Sequence, residues 1–314
     1  MGSIMKHYVG IDLGGTYVKG GVVNENGIIE KFGRIPTRRS EGAECVLKDI
    51  ERLISDLISD GGYEISGIGM GIPGLVDAKR ENIVKAANLG WENVKVADRL
   101  KRKFGCPVIL SNDANAAGLG EARFGSGAKY SSSVFLTLGT GIGGAVIIDN
   151  KLYEGNKSAG AEIGHMVIRA GGNRCACGNE GCFETYASAS ALVRETRAAM
   201  MEHKDSKMWE KGSIDNVSGR TAFEYYFTDE TAKKVVDEYI DNLSIGVINV
   251  ANIFRPEAII LGGGIAKQGK FLTDRVKLKL DAGIFAGKLG PEVEILTASL
   301  DEAGVVGAAS LNIY

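Results

Sequence analysis

I11-D-L-G-G-T-Y-V-K-G-G-V-V23 and L136-T-L-G-T-G-I-G-G-A-V-I-I148 share one pattern. An apolar run stops at a glycine turn and a second apolar run returns from it, once in each half of the chain. Short runs rich in Val and Ile and bounded by glycine read as buried strands of a hairpin. The first copy puts strands over 8–13 and 18–24, and the Asn26-Gly27 pair, a strong hairpin signal, opens a third over 28–35. Apolar spacing from Glu41 to Ile58 is helical, and 65–70 is strand again. Three hairpin-linked strands, a helix and a further strand make a mixed sheet rather than an all-parallel one. The second copy puts strands over 134–138 and 145–148. After it come a long helix over 230–254, a strand over 257–261, the loop L261-G-G-G264, a helix near Phe271 and a strand over 293–296. A last helix over 302–312 is expected to pack back on the first half. The whole reads as a duplicated α/β domain. The stretch 201–228 has no clear period and is assigned no function.

At 314 residues the chain is long enough for two domains. Hydrophobic residues at 44% and charged residues at 24% are ordinary for a soluble globular protein. Thirty-seven basic against 39 acidic residues leave a formal charge of −2, which gives nucleic acid or an anionic membrane no electrostatic reason to bind. No run approaches the length of a membrane span, and the N-terminus lacks the apolar stretch of a secretion signal. Met1–Ile4 reads as an added, non-native stretch ahead of a native start at Met5. Five cysteines, an odd number, argue against a secreted disulfide scaffold, so cytoplasm is the expected compartment. Glycine, at 44 residues, is about twice its ordinary share. It clusters after apolar runs, where a backbone can approach a ligand closely.

The turns G14-G-T16 and G139-T-G141 each offer backbone N–H groups to phosphate oxygens, with Thr16 and Thr140 hydroxyls as further donors and Lys19 as a positive charge. A single such turn reads as an ordinary hairpin; two related copies favour phosphate binding. G139-x-G-x-x-G144 spells the dinucleotide fingerprint, but the fingerprint needs a helix after its loop, and A145-V-I-I148 continues as strand. No Walker A loop occurs. L261-G-G-G264 lies between a strand and a helix, a place where nucleotides sit on α/β sheets. Asp12, at the end of the first strand, either caps the turn or holds Mg²⁺ through water; the neighbouring phosphate turn favours the metal.

V108-I-L-S-N112-D113 reads as a strand ending in a polar pair at a helix start. Asn and Asp are both good helix caps, so taken alone capping and catalysis are equally served. Position favours chemistry. Asp113 falls on the sheet edge that carries the glycine turns, where a carboxylate can accept the proton of a hydroxyl attacking phosphorus while Asn112 orients the hydroxyls.

E162-I-G-H165 followed by C175-A-C177-G-N-E-G-C182-F-E184 is the strongest metal signal. Three thiolates and one imidazole make a complete tetrahedral zinc shell, with no position left open for catalysis. Free core cysteines are a poor alternative, because Asn173, Gly178, Asn179 and Gly181 make this a polar turn. Glu162 and Glu184 flank the ligands and are suited to accept hydrogen bonds from sugar hydroxyls, as is the second ring nitrogen of His165 to address a substrate. The bland reading is two solvated glutamates. Cys45 and Cys106 read as small buried hydrophobes.

Together G10-I-D-L-G-G-T16, G71-I-P-G74, N88-L-G-W91, N112-D113, L138-G-T-G-I-G-G144, the His–Cys–Glu cluster and L261-G-G-G264 resemble the ROK family, and within it the bacterial glucokinase-like members. The motifs run in family order over nearly the whole chain. The resemblance implies an actin-like ATPase (ribonuclease H-like) fold, two α/β domains with a cleft between them. The expected domains are 1–121 plus 300–314, the smaller, and 122–299, carrying the zinc loop. It implies a transferase of carbohydrate metabolism and glycolysis, in which ATP phosphorylates a hexose, glucose first. Fructose, mannose, N-acetylmannosamine, N-acetylglucosamine and a non-catalytic sugar sensor stand as alternatives. Asp113 would be the general base. Gly74, Asn112, Glu162, His165 and Glu184 would hold the sugar. Asp12, Gly14, Gly15, Thr16, Lys19, Gly139, Thr140 and Gly141 would hold phosphates and Mg²⁺, and Gly262, Gly263 and Gly264 the adenosine. His165, Cys175, Cys177 and Cys182 would hold structural Zn²⁺. A homodimer or homotetramer is implied. Family repressors carry an N-terminal helix-turn-helix, which a first strand starting near Lys6 is expected to exclude.

Overall fold

The returning apolar runs form the expected strands. A computed structural model describes residues 5–59 and 61–313, so the expectation for Met1–Ile4 lies outside the described residues. β1 (His7–Leu13) and β2 (Tyr17–Asn24) pair antiparallel across the first glycine turn, with Asp12 opposite Lys19. The Asn26-Gly27 turn forms, with Gly27 N donating to the Asn24 carbonyl, and leads into β3 (Ile29–Pro36). α1 (Gly42–Ser59) buries Val46, Leu47, Ile50, Leu53, Ile54 and Leu57, the i, i+3, i+4 stripe of a helix lying on a sheet. β4 (Ile65–Ile72) then runs parallel to β1. β5 (Leu75–Val76), β6 (Asn82–Ala86) and β7 (Trp91–Lys95) form a small antiparallel sheet that their sequence did not announce. α2 (Ala97–Phe104) leads to β8 (Val108–Asn112), parallel to β4, and α3 (Asp113–Phe124) starts where β8 ends. The sheet order is β3-β2-β1-β4-β8.

The second copy follows the same plan. β9 (Ser133–Leu138), β10 (Ile142–Ile148) and β11 (Lys151–Tyr153) precede α4 (Glu184–Ala187), α5 (Ala189–Glu202), α6 (Thr221–Tyr225) and α7 (Glu230–Phe254). β12 (Ala258–Gly262), α8 (Gly263–Ala266), α9 (Lys270–Gly283), β13 (Glu294–Thr297) and α10 (Ala303–Ser310) complete the chain. This sheet runs β11-β10-β9-β12-β13. Counted from its own first strand, each sheet has the order 3-2-1-4-5, the topological signature of the duplication. β10 continues directly from the glycine loop as strand, which removes the dinucleotide fingerprint.

The chain divides into two compact units. One takes the chain up to Phe135, Ala145–Ala161 and the stretch from Ser299 on; the other takes Leu136–Gly144 and Glu162–Ala298. In the first, the core gathers Val9, Ile11 and Leu13 of β1 with Ile50, Ile54 and Leu57 of α1 and Leu100 of α2. α10 packs on the other face of that sheet. A Cβ at Gly69 would overlap the Ala308 carbonyl, so the helix lies directly on bare backbone. Gly69→Ala is therefore expected to destabilise this unit by about 1–3 kcal/mol, the usual cost of overpacking. A Cβ on Gly15 meets only open space, so Gly15→Ala should leave stability unmoved. Denaturant midpoints of the two variants check the contrast.

Cys45 departs from expectation. It is half-buried on α1 and its thiol donates to Glu41 Oε2 at 3.3 Å, because the helical stripe turns position 45 away from the core. Cys106 is buried as expected. Among the described residues, no helix is long and apolar enough to cross a membrane.

Candidate active site

In the first unit, three parallel strands end side by side. Register pairs Asp12 with Gly71, and Ile72 with Asn112, so Asp12 and the 112–113 pair share one sheet edge. The backbone separates the two residues of the Asn112–Asp113 pair as helix caps. Asn112 is the cap: its Oδ1 accepts from Ala114 N at 2.9 Å and Asn115 N at 3.2 Å, and its Nδ2 donates to the Gly74 carbonyl at 3.3 Å. Asp113 is the first residue of α3, half-buried, with Oδ1 2.9 Å from Ala114 N. A carboxylate at a helix N-terminus is stabilised in its ionised form by the helix dipole. Gly74 has a packing reason of its own, since a Cβ there would overlap the Lys85 carbonyl of β6.

The first glycine turn is held from outside. Gly14 N donates to the Tyr17 carbonyl, and Thr37 gives its Oγ1 proton to the Gly14 carbonyl and its N–H to the Thr16 carbonyl. Thr16 is exposed. Lys19 donates to Glu302 Oε2 at 2.7 Å, so its charge is shared with that carboxylate. Burial pushes the Asp12 carboxyl up, against the opposing pull of Lys19, and Glu302 pushes it further. A carboxyl whose folded pKa is raised costs stability at pH above that pKa, and the cost vanishes below its unfolded value. Asp12→Asn removes that cost, so in ligand-free protein at neutral pH its thermal midpoint is expected to rise. An unchanged or lowered midpoint would contradict the burial argument.

The second unit holds the other turn and the metal cluster. Gly139 N donates to the Gly141 carbonyl, and Thr140 is exposed. Gly263 has a φ of 84° and lies against the Leu138 backbone, which brings the 262–264 loop beside the end of β9. A groove of about 630 Å³ starts at Thr140 and is lined by Ser190, Arg194 and Arg197 of α5. None of these three residues belongs to a motif in the sequence. The signal for them is the i, i+3 spacing of Arg194 and Arg197 in the helix that Ser188 caps.

The loop 162–165 is fixed by packing. Ile163 is buried, and Cβ atoms on Gly144 and Gly164 would overlap Ile163 and the Ile142 carbonyl. This seats a short turn with Glu162 exposed and His165 half-buried. The metal loop is fixed by Phe183, 0% exposed, whose ring lies where a Cβ on Gly246 of α7 would stand. The ligand atoms of His165, Cys175, Cys177 and Cys182 all lie within 4.8 Å of one another. Zn–S bonds of about 2.3 Å and Zn–N bonds of about 2.0–2.1 Å in a tetrahedron set sulfur–sulfur and sulfur–nitrogen separations of roughly 3.8 and 3.6 Å. Cys177 and Cys182 Sγ are 3.7 Å apart, and Cys175 Sγ is 3.6 Å from His165 Nδ1. Donor set and spacing both fit zinc, and Nδ1 is the ring nitrogen that faces the cluster. Burial pushes the Cys175 thiol up to about 12 and raises that of Cys182, while the Asn179 N–H holds exposed Cys177 down.

Residues 8–313 match the model of the ROK family. The chain belongs to the ROK family. It is 36% identical over 306 residues to a glucokinase of Thermotoga maritima, covering 96% of each chain. It is 30% identical over 308 residues to a xylose repressor of Bacillus spizizenii, covering 97% of this chain and 76% of the repressor. Its structure superposes with a TM-score of 0.84 on a ROK family glucokinase from Streptomyces griseus in complex with glucose and AMPPNP. That pair is 33% identical, with 97% of this chain and 98% of the other covered. The fold is the actin-like ATPase fold of the ROK sugar kinases.

Proposed function

We propose that the chain is an ATP:hexose 6-phosphotransferase acting first on glucose, a cytoplasmic homodimer or homotetramer with domains 1–121 plus 300–314 and 122–299. The observation that carries this reading is the division of labour at the start of α3. Asn112 caps α3, and Asp113 opens that helix on the sheet edge shared with Asp12, where a carboxylate can meet an attacking hydroxyl. Likeness to two glucokinases along nearly the whole chain supports it.

In this reading the sugar 6-hydroxyl oxygen attacks the γ-phosphorus of ATP, its proton passes to Asp113, and the bond to the bridging oxygen of ADP breaks. Asn112, Gly74, Glu162, His165 and Glu184 hold the other hydroxyls and fix the line of attack. Gly14 and Gly139 close the two turns with their own N–H groups, and the N–H groups of Gly15, Thr16, Thr140 and Gly141, with the Thr16 and Thr140 hydroxyls and Lys19, face the phosphates, while 262–264 faces the adenosine. Asp12 would hold Mg²⁺ through water, and that ion would neutralise phosphate charge. His165, Cys175, Cys177 and Cys182 would hold zinc, whose closed shell supplies structure rather than chemistry.

Coupled ADP release over a panel of hexoses tests the reading. Turnover is expected with glucose above the other sugars. No turnover with any hexose would overturn the kinase assignment in favour of a sugar sensor, the reading that the likeness to xylose repressors supports.

A further inference from the structure

The segment that leaves the metal cluster grips the second glycine turn at two points. Cys182 belongs to the cluster, and Phe183 beside it is locked into the core. One residue on, Glu184 opens α4 with its two oxygens facing different ways. Oε1 accepts from the Cys175 thiol at 3.1 Å, a bond that ends when that sulfur becomes a zinc-bound thiolate, so with metal present the cluster reaches Glu184 through the Cys182–Phe183 backbone. Oε2 accepts from Ile142 N at 3.4 Å and occupies the place a Cβ on residue 141 would take. Beyond the far end of α4, Ala189 N donates to the Gly139 carbonyl at 2.8 Å. The turn 139–141 is therefore held on both sides by residues 184–189, whose start the cluster fixes. A Cβ at residue 141 would push the Glu184 carboxylate, the end of a flexible side chain, off the turn.

We propose that the Cys₃His cluster sets the shape of the 139–141 turn through residues 182–189, with Glu184 as the positioning residue that joins them. It rests on the reading of that turn as a nucleotide-binding turn. Metal and nucleotide then bind with positive coupling, and the coupling is reciprocal: what metal does for nucleotide, nucleotide does for metal. Groups behind a metal site commonly matter at the level of about 10- to 100-fold.

The test is a double-mutant cycle on zinc-loaded protein: wild type, Gly141→Ala, Glu184→Ala and the pair. Two quantities are read, AMPPNP affinity by calorimetry without sugar and the rate of zinc release to a chelator. In the wild-type background Gly141→Ala is expected to weaken AMPPNP and speed zinc release, each by about tenfold or more. In the Glu184→Ala background the same change should cost less than about threefold, because the group it collides with is gone. Glu184→Gln keeps the shape, so beside it Gly141→Ala should remain as harmful as in wild type; this variant serves if Glu184→Ala folds poorly. Chelated wild type should bind AMPPNP as weakly as Glu184→Ala. Equal, additive penalties for Gly141→Ala in both backgrounds would overturn the proposal. If zinc-loaded wild type does not bind AMPPNP, the nucleotide reading fails, and the zinc-release cycle still decides the coupling between turn and cluster.

Discussion

Asp113→Asn is expected to lower kcat about 10²- to 10⁴-fold while glucose still binds. The amide keeps the shape of the carboxylate and cannot take the hydroxyl proton. A loss of that size is about 2.7–5.4 kcal/mol of barrier. The structural cost of the same change is smaller. Asn112, not Asp113, caps α3, so the helix keeps its cap. What is lost is a charge at the helix N-terminus, typically about 0.3–1 kcal/mol. Kinetics and stability thus separate, and the thermal midpoint should move little. Asn112→Ala makes the opposite pattern: it removes a cap, worth about 0.5–2 kcal/mol, and loosens the turn that aims Asp113. Measured kcat near wild type in Asp113→Asn would sink the general-base assignment, whatever the protein's other properties.

How much of this was legible depended on how each feature is encoded. The two strand–turn–strand copies are local apolar runs, and both sheets formed on them with the same strand order. The metal cluster was legible because its ligands lie close in sequence at fixed spacing. The β5–β7 sheet was not: Leu75–Val76 is two residues long, and Asn82–Ala86 buries only Ile83 and Ala86, so no alternation marks it. The stretch 201–228 forms short 3₁₀ turns and the five-residue α6, elements too brief to show a period. It is tied down by Asp229, the N-cap of α7, which also accepts from Ser206 Oγ at 2.8 Å, a link across 23 residues that no local pattern predicts. The roles of Asn112 and Asp113 were open for a similar reason. Both residue types cap helices, and only the backbone at Asn112, extended with φ −60° and ψ 147°, shows which one does.

Metal removal is expected to abolish activity without unfolding the chain. Structural zinc in small fingers contributes about 10–16 kcal/mol and folds them outright. In this chain the loop has further supports: Phe183 in the core, Phe183 N donating to the Met166 carbonyl at 2.8 Å and Cys175 N to the Asn179 carbonyl at 2.8 Å. The loss should therefore fall on the cluster and on what it places. Cys177 is the cleanest target, being exposed, whereas Cys175 and Cys182 are buried and their truncation would also open voids. Cys177→Ala, or exhaustive chelation with zinc content checked, should lower turnover by about 100-fold or more. Helix content should hold, and protease should cut first between 165 and 184. Activity should return when zinc is added back to chelated wild type but not to Cys177→Ala. Full turnover in protein shown to be free of zinc would refute a positioning role for the cluster. Loss of all structure on chelation would show instead that the second unit needs the ion to fold, and that Phe183 and its neighbouring hydrogen bonds do not suffice to hold the loop.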